Sequence, residues 1–149
     1  EATRTVVLEA LEDDEAGVRV AAANALAQSG ATAAEEAIRR EVAGHGFSGR
    51  DPAEQMAFLK SLVAASGDRA VDTLDELLNG RRWLVVRHAP SLRASAARAL
   101  ALIGTPRAVS VLRRAENDRA SAVAHAVRVS LRHLEHEPDP EPAEGEGGA

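Results

Sequence analysis

The sequence predicts an all-α fold: a short right-handed α-solenoid of about eight helices in antiparallel pairs. Alanine, the best helix former, is very abundant, and strand-forming residues never alternate with polar ones over a strand's length. Glycines that end helical patterns recur at Gly30, Gly67 and Gly104, two equal spacings of 37 residues. Glycine just past the end of a helix supplies the left-handed cap, so each of these glycines marks the end of an equivalent helix. We therefore expect one complete repeat between successive glycines. A period of this length built from two helices is typical of solenoids.

Each of these glycines ends an Ala- and Leu-rich helix, which we name the first-position helix of a repeat. These helices are VRVAAANALAQSG (18–30), QMAFLKSLVAASG (55–67) and LRASAARALALIG (92–104). The second-position helices that follow are ATAAEEAIRREV (31–42), DRAVDTLDELL (68–78) and TPRAVSVLRRA (105–115). Thr105 before Pro106 predicts an N-cap with proline at the first helical position, and Asp68 is expected to cap the middle helix similarly.

The two ends fit the same scheme. Residues 3–14 form a second-position helix without its first, and residues 120–134 form a first-position helix without a partner. An array that begins with half a repeat is typical of a segment of a longer array or of a special cap. Glu1 in place of Met also predicts a processed or excised chain. Residues 1–134 are therefore predicted to be the solenoid, and the proline-rich, acidic residues 135–149 a disordered tail.

The first and third copies contain further sequence features. These are Asp13 six residues before Arg19, the pairs Ala25-Leu26 and Ala99-Leu100, and Ile103-Gly104 followed by Ala108-Val109. In these features the chain resembles HEAT repeats of the bacterial, phycobilisome-lyase-like type, over roughly residues 1–134. The second copy departs from the pattern, with Gln55-Met56 in place of Val-Arg. The resemblance implies an α-solenoid of a family whose members mostly bind other macromolecules.

The stretch GHGFSG, residues 44–49, matches the G-x-G-x-x-G pattern of dinucleotide-binding folds. That pattern binds pyrophosphate only where it follows a strand and opens a helix. Here a helical pattern precedes it, and Asp51-Pro52-Ala53-Glu54 behind it is a strong helix start. We therefore predict a turn between repeats, and the nucleotide interpretation is not supported.

Charge is unevenly distributed along the chain. Residues 1–80 carry a net charge of -8, residues 81–134 carry +9, and residues 135–149 carry -6. Such asymmetry usually concerns partners or self-association. One hypothesis is that the acidic tail lies on the basic half and competes there with an acidic partner. The arginines of the basic half outside its first loop are Arg93, Arg98, Arg107, Arg113, Arg114, Arg119, Arg128 and Arg132.

The second long connection, NGRRWLVVRHAPS (79–91), is a candidate binding segment. It leaves the solenoid at the same edge as residues 44–51, and insertions on one edge are often binding sites. Its tryptophan and arginines are the residue types that dominate interface hot spots. The candidates are Arg81, Arg82, Trp83 and Arg87. The favoured alternative is that Trp83 and the following Leu-Val-Val pack under the loop, which leaves the arginines as candidates in either case.

The resemblance also implies that second-position helices line the inner face. Polar positions there are Arg39, Arg40, Asp72, Asp75, Glu76, Arg113 and Arg114. We therefore predict a non-enzymatic protein–protein interaction scaffold or adaptor, which selects a partner segment of mixed charge through electrostatics. The alternatives are a phycobilisome-lyase-like accessory protein acting on a chromophore-bearing protein, and nucleic-acid binding through residues 81–134. Three aromatic residues argue against both.

Other chemistry finds little support. Cysteine is absent, which excludes disulfides and thiolate zinc sites. His133 and His136 are spaced for a shared helix face, but they lie where helical order is expected to end. We predict no catalytic residue, no metal and no cofactor, and hence no enzyme. No apolar run has the length of a membrane span and no leader is visible, so we expect a cytoplasmic protein, part of a larger chain or complex.

Overall fold

The computed structural model describes residues 2–29, 32–80 and 87–136, with side chains from Thr5 onward. Within these ranges the backbone forms eight α-helices and no strand, which confirms the all-α prediction. The helices are α1 (Ala2–Glu9), α2 (Ala16–Ser29), α3 (Thr32–Ala43), α4 (Pro52–Ser66), α5 (Val71–Asn79), α6 (Pro90–Ile103), α7 (Pro106–Arg114) and α8 (Ser121–His136). Short 3-10 turns lie at Ala10–Glu12, Phe47–Gly49 and Gly67–Ala70.

The helices stack as a solenoid. The first-position helices α2, α4, α6 and α8 form one row, in which each packs against the next. Each second-position helix after α1 packs against the first-position helix that follows it, so α3 contacts α4, α5 contacts α6, and α7 contacts α8. One hydrophobic core runs through the stack from Leu11 to Leu131. No helix pair hides its apolar face alone, and the predicted solenoid is confirmed.

Alanine determines how closely the first-position helices approach. In α6, four alanines are buried between α4 on one side and α8 on the other. Their methyl groups leave room for the neighbouring backbones at native packing density. The larger apolar side chains, such as Phe58 and Leu74, fill the space between the two rows.

The predicted caps are confirmed at α4 and α7. The Asp51 carboxylate accepts from the Ala53 amide at 2.8 Å, and Pro52 is the first helical residue. The Thr105 hydroxyl accepts from the Ala108 amide at 3.3 Å, and Pro106 follows it. These side chains satisfy amides that have no partner within the helix, and so define where each helix begins.

The glycine stops are found where the structure describes them. Gly104 has the left-handed conformation, with φ of 66°, and Gly67 also has a positive φ of 54°. Gly30 lies outside the described residues. The prediction that Asp68 caps the middle helix is wrong, because the 3-10 turn Gly67–Ala70 delays the start of α5 to Val71. The Asp68 carboxylate instead accepts from the Thr105 hydroxyl of the next repeat at 2.5 Å.

The last helix extends slightly past its predicted end. Helix α8 includes Glu135 and His136, which the sequence pattern assigns to the tail. Residues 137–149 lie outside the described residues, so their predicted disorder stays a prediction. In the ranges that the structure describes, no helix has both the length and the apolarity required to cross a bilayer.

Candidate functional site

The glycine-rich stretch is a packed connection between α3 and α4. Phe47 is 1% exposed and meets Phe58 edge-on, with ring centroids 5.9 Å apart. The side-chain amide nitrogen of Gln55, Nε2, donates to the main-chain oxygens of Phe47 at 3.0 Å and Ser48 at 3.3 Å. Because its phenylalanine and two of its carbonyls face the core, the stretch is a turn between repeats, as predicted.

Arg50, directly behind the glycines, is also held within the fold. Its guanidinium lies 4.9 Å from the ring centroid of Phe58 and 5.7 Å from that of Phe47. It pairs with Glu41 at 2.6 Å and with Glu54 at 3.4 Å. Two carboxylates and two aromatic faces surround this cation, so its charge is compensated inside the protein.

The fourth residue of α2 is Arg19, which connects the first repeat to the second. Its Nε and Nη2 donate to the two carboxylate oxygens of Glu54 at 2.7 and 2.8 Å. Its Nη1 donates to the main-chain oxygen of Asp13 at 2.6 Å, so the expected Asp13–Arg19 pairing involves the backbone and not the carboxylate. The hydrogen bond to Glu54 is the main reason that the pKa of Arg19 lies above its ordinary value.

Arg93, the fourth residue of α6, plays the same role between the third and fourth repeats. It is 3% exposed and binds both carboxylate oxygens of Asp118, and its Nε donates to the Leu78 carbonyl at 2.9 Å. Asp118 also accepts from the Ala120 amide at 2.9 Å, at the start of α8. The buried guanidinium beside it is the main cause that lowers the pKa of Asp118.

A row of ion pairs connects successive repeats along the second-position side of the solenoid; we name it the inter-repeat row. Glu35 pairs with Arg69 at 2.6 Å, Asp72 pairs with Arg107, and Asp75 pairs with Arg114 at 2.5 Å. In each pair the carboxylate belongs to the earlier repeat and the arginine to the next. Arg69, with a smaller contribution from Arg39, lowers the pKa of Glu35 to about 2. The row thus neutralises much of the charge predicted to face a partner.

The predicted inner-face residues therefore divide into two groups. Arg39 pairs with Glu35 within α3, and Arg113 pairs with Glu135 at 3.5 Å. Together with Asp72, Asp75 and Arg114 of the row, these side chains have partners inside the chain. The side chains of Arg40 and Glu76 are exposed and form no ion pair with any described residue. Most of the predicted set thus has an ion-pair partner within the chain, and its role in partner binding stays a prediction.

The candidate binding loop is only partly described. Arg81, Arg82 and Trp83 lie outside the described residues, so their proposed role stays a prediction. Arg87 is exposed and donates to Asp118 at 2.8 Å, on the carboxylate that Arg93 also binds. This arginine is therefore held against the start of α8.

Two of the grooves on the described surface lie near the two ends of the stack. The first, of about 360 Å³, lies between α1 and α3 and is mainly acidic. The second, of about 450 Å³, lies between α7 and α8, and we name it the C-terminal groove. Its charged and ionisable lining residues are Arg113, Glu116, His125, Arg128, Arg132 and Glu135.

Arg128 and Arg132 distinguish the C-terminal groove from the rest of the surface. They lie one turn apart on α8, both are exposed, and neither pairs with a carboxylate among the described residues. Both belong to the basic half of the sequence but are not among the predicted binding residues. The sequence signal that could have identified them is two arginines at a spacing of four on the last predicted first-position helix.

The residues that could bind a metal are scattered. Across the described ranges, no group of three or more His, Asp or Glu side chains comes together as a ligand set. On α8, the Nδ1 of His136 lies 2.8 Å from the Arg132 carbonyl, at the end of the helix.

Comparison with known proteins agrees with this architecture. The PBS lyase HEAT-like repeat family model matches residues 18–42 and 92–118. No functionally curated protein matches the sequence. Among solved structures, human deoxyhypusine hydroxylase in complex with glycerol matches 90% of this chain and 44% of its own, with a TM-score of 0.67 and 24% sequence identity. The chain thus spans less than half of that protein, and the similarity shows the fold alone.

One prediction is contradicted by this comparison. The sequence, which shows no catalytic cluster, leads us to predict that the chain is not an enzyme. Deoxyhypusine hydroxylase is an enzyme, and it has the same stacked-helix fold. The lack of a recognisable catalytic motif in the sequence therefore does not exclude an enzyme.

The two segments that the family model matches coincide with the pairs α2–α3 and α6–α7. The intervening pair α4–α5 stacks between them and contributes to the same core. The chain therefore contains two segments that match the PBS lyase HEAT-like repeat model, within one continuous stack of helix pairs.

Proposed function

We propose that the chain is a scaffold that binds a partner protein, and that its C-terminal groove receives an acidic segment of that partner. The observation that carries the proposal is the pair Arg128 and Arg132, exposed in a groove and without a carboxylate partner among the described residues. Guanidinium groups bind carboxylates in a two-pronged geometry, and such charge-assisted hydrogen bonds are stronger than neutral ones.

The inter-repeat row is a poorer binding surface than the sequence suggested. A partner that used Asp75 or Arg114 would have to break a pair that joins two repeats. Arg113 differs, because its contact with Glu135 is long and both side chains are more than half exposed. Exposed pairs of this kind contribute little, about 0–1 kcal/mol, so Arg113 can turn towards a ligand at small cost.

The groove suits an acidic peptide better than a nucleic acid. Its lining includes Glu116 and Glu135, which would repel a continuous phosphate backbone. None of its lining residues is Phe, Tyr or Trp, so single-stranded bases would find no large aromatic side chain to stack on. A peptide with separated carboxylates can place them on the arginines and avoid the two glutamates, which makes the fit selective.

Fluorescence anisotropy of a fluorescein-labelled peptide of repeated Glu-Ala units tests this proposal. The full chain should bind the peptide, and the double variant Arg128→Glu/Arg132→Glu should weaken binding at least about tenfold, since charged hydrogen bonds are worth about 1.5–3 kcal/mol each. A Lys-Ala repeat peptide should not bind.

The matched control is Lys60→Glu/Arg98→Glu, which makes the same change in net charge. Lys60 and Arg98 are exposed, lie outside the C-terminal groove and form no ion pair with a described residue. This variant should bind the acidic peptide nearly as well as the parent chain. Equal loss in both double variants would mean that net charge alone attracts the peptide, and the groove would not be the site.

A further inference from the structure

We infer that residues 137–149 regulate the C-terminal groove: this acidic segment binds there in the same molecule and must be displaced by a partner. The inference rests on the function proposed above for the groove. The segment supports this inference through its starting point, its charge, its length and its covalent attachment.

The segment begins beside the groove. Helix α8 ends at His136, and Glu135, one residue earlier, lines the groove together with Arg128 and Arg132. The first residue of the segment, Glu137, therefore follows Arg132 by about one and a half helical turns and Arg128 by about two and a half.

The charges are complementary. The segment contains five carboxylates and no basic residue; they are Glu137, Asp139, Glu141, Glu144 and Glu146. Acidic residues alternate with the three prolines, Pro138, Pro140 and Pro142. Because proline has a fixed φ angle, a proline-rich segment loses less conformational entropy when a groove orders it.

The segment is long enough to return along α8. From His136 back to His125, at the far end of the groove, the helix spans about 16 Å at 1.5 Å per residue. The thirteen residues 137–149 can reach up to about 43 Å when extended. The chain can therefore reverse direction after His136 and still place several carboxylates along the groove.

Covalent attachment makes even weak binding effective. A short tether gives a local concentration of roughly millimolar, so a segment with a millimolar dissociation constant would fill the groove about half of the time. A partner segment must then compete with it, which lowers the apparent affinity of the partner. Any change that neutralises the acidic segment should raise that affinity.

Paramagnetic NMR on the full chain tests docking directly. The sequence has no cysteine, so a spin label on Gly147→Cys is unique. The label should broaden the amide signals of α8 around His125 and Arg128, and leave those of α2 unchanged. Raising the salt from about 0.05 to about 0.5 M, or introducing Arg128→Glu/Arg132→Glu, should restore the signals, whereas Lys60→Glu/Arg98→Glu should not.

A second measurement tests regulation. Changing the five carboxylates to amides (Glu→Gln and Asp→Asn) in the full chain should tighten binding of the labelled Glu-Ala peptide by about twofold or more. If both chains bind the peptide equally and the spin label broadens no signal in α8, the inference fails while the groove keeps its proposed function. If neither chain binds the peptide, the proposed function fails, and the inference with it.

Discussion

The hydroxyl of Ser61 donates a hydrogen bond of 2.8 Å to Oδ1 of Asn24, one sequence period of 37 residues earlier. Thr105 and Asp68, also 37 residues apart, make the equivalent kind of contact at 2.5 Å. Residues at corresponding positions of successive repeats therefore lie side by side in the stack. The period read from the glycines is thus also the spacing of direct contacts between repeats.

Replacing Ser61 with alanine should lower the free energy of unfolding by about 1 kcal/mol, because a part-buried hydrogen bond between repeats is lost. Ser61 itself is 2% exposed, whereas Asn24 lies at the surface. Urea denaturation of Ser61→Ala, Asn24→Ala and the double variant should give a coupling energy of about 0.5–1 kcal/mol. Ser110→Ala, at an exposed position of α7, is the control and should change little. Additive effects of the two variants would show that the bond does not form.

Asp118 should be far more important to stability than Arg87, although the two form an ion pair. Asp118→Ala leaves the guanidinium of Arg93 buried without its carboxylate, which typically costs about 3–5 kcal/mol. Arg87→Ala removes only an exposed partner of the same carboxylate and should cost less than about 1 kcal/mol. Denaturant unfolding of both variants measures the difference. Similar costs for the two would mean that Arg93 reaches solvent.

Stability should decline in acid partly because of Glu35. Its pKa is about 2 in the folded protein, below its ordinary value of 4.5, so the folded state favours the ionised carboxyl. Its contribution is therefore complete above about pH 4.5 and is lost as the pH falls from there towards 2. Urea midpoints measured from about pH 6 to pH 3 should fall less steeply for Glu35→Gln than for the parent chain. Parallel curves would show that Arg69 does not hold this carboxyl ionised.

The glycine-rich stretch should tolerate the loss of a glycine but not the loss of its phenylalanine. Gly46 has a negative φ of -74°, and a methyl group added there would meet no atom within 4 Å. Gly46→Ala should therefore change stability by no more than about 0.5 kcal/mol. Phe47→Ala should cost about 3–5 kcal/mol, because it empties a buried site against Phe58. Thermal unfolding measures both, and a large loss at Gly46 would contradict this account of the turn.

Much of the fold could be predicted because it depends on local chemistry. The caps at Asp51 and Thr105 are decided by a side chain and an amide only a few residues apart. The left-handed stop at Gly104 likewise needs only the absence of a side chain. Asp68 failed as a cap because a 3-10 turn and a neighbouring repeat, neither visible in the local pattern, gave it other partners.

The candidate site could not be predicted in the same way. Whether an arginine is free or paired depends on residues some 35 positions away, as with Arg107 and Asp72 or Arg114 and Asp75. The sequence identified these side chains as polar and surface-facing but could not show that they bind one another. Arg128 and Arg132 have no carboxylate partner among the described residues because they lie on the last helix of the described stack.

The inter-repeat row also gives the repeats a fixed order. Helix α5 carries Asp72 and Asp75, which pair with Arg107 and Arg114 on α7 of the next repeat. If the segment containing α5 were duplicated in tandem, the second copy would present Arg69 to the two aspartates of the first but would have no counterpart of Arg114. The repeats of this array are therefore not interchangeable, because the charged side chains of each repeat pair with those of one particular neighbour. Lengthening the array by design would require new ion pairs at the added junction.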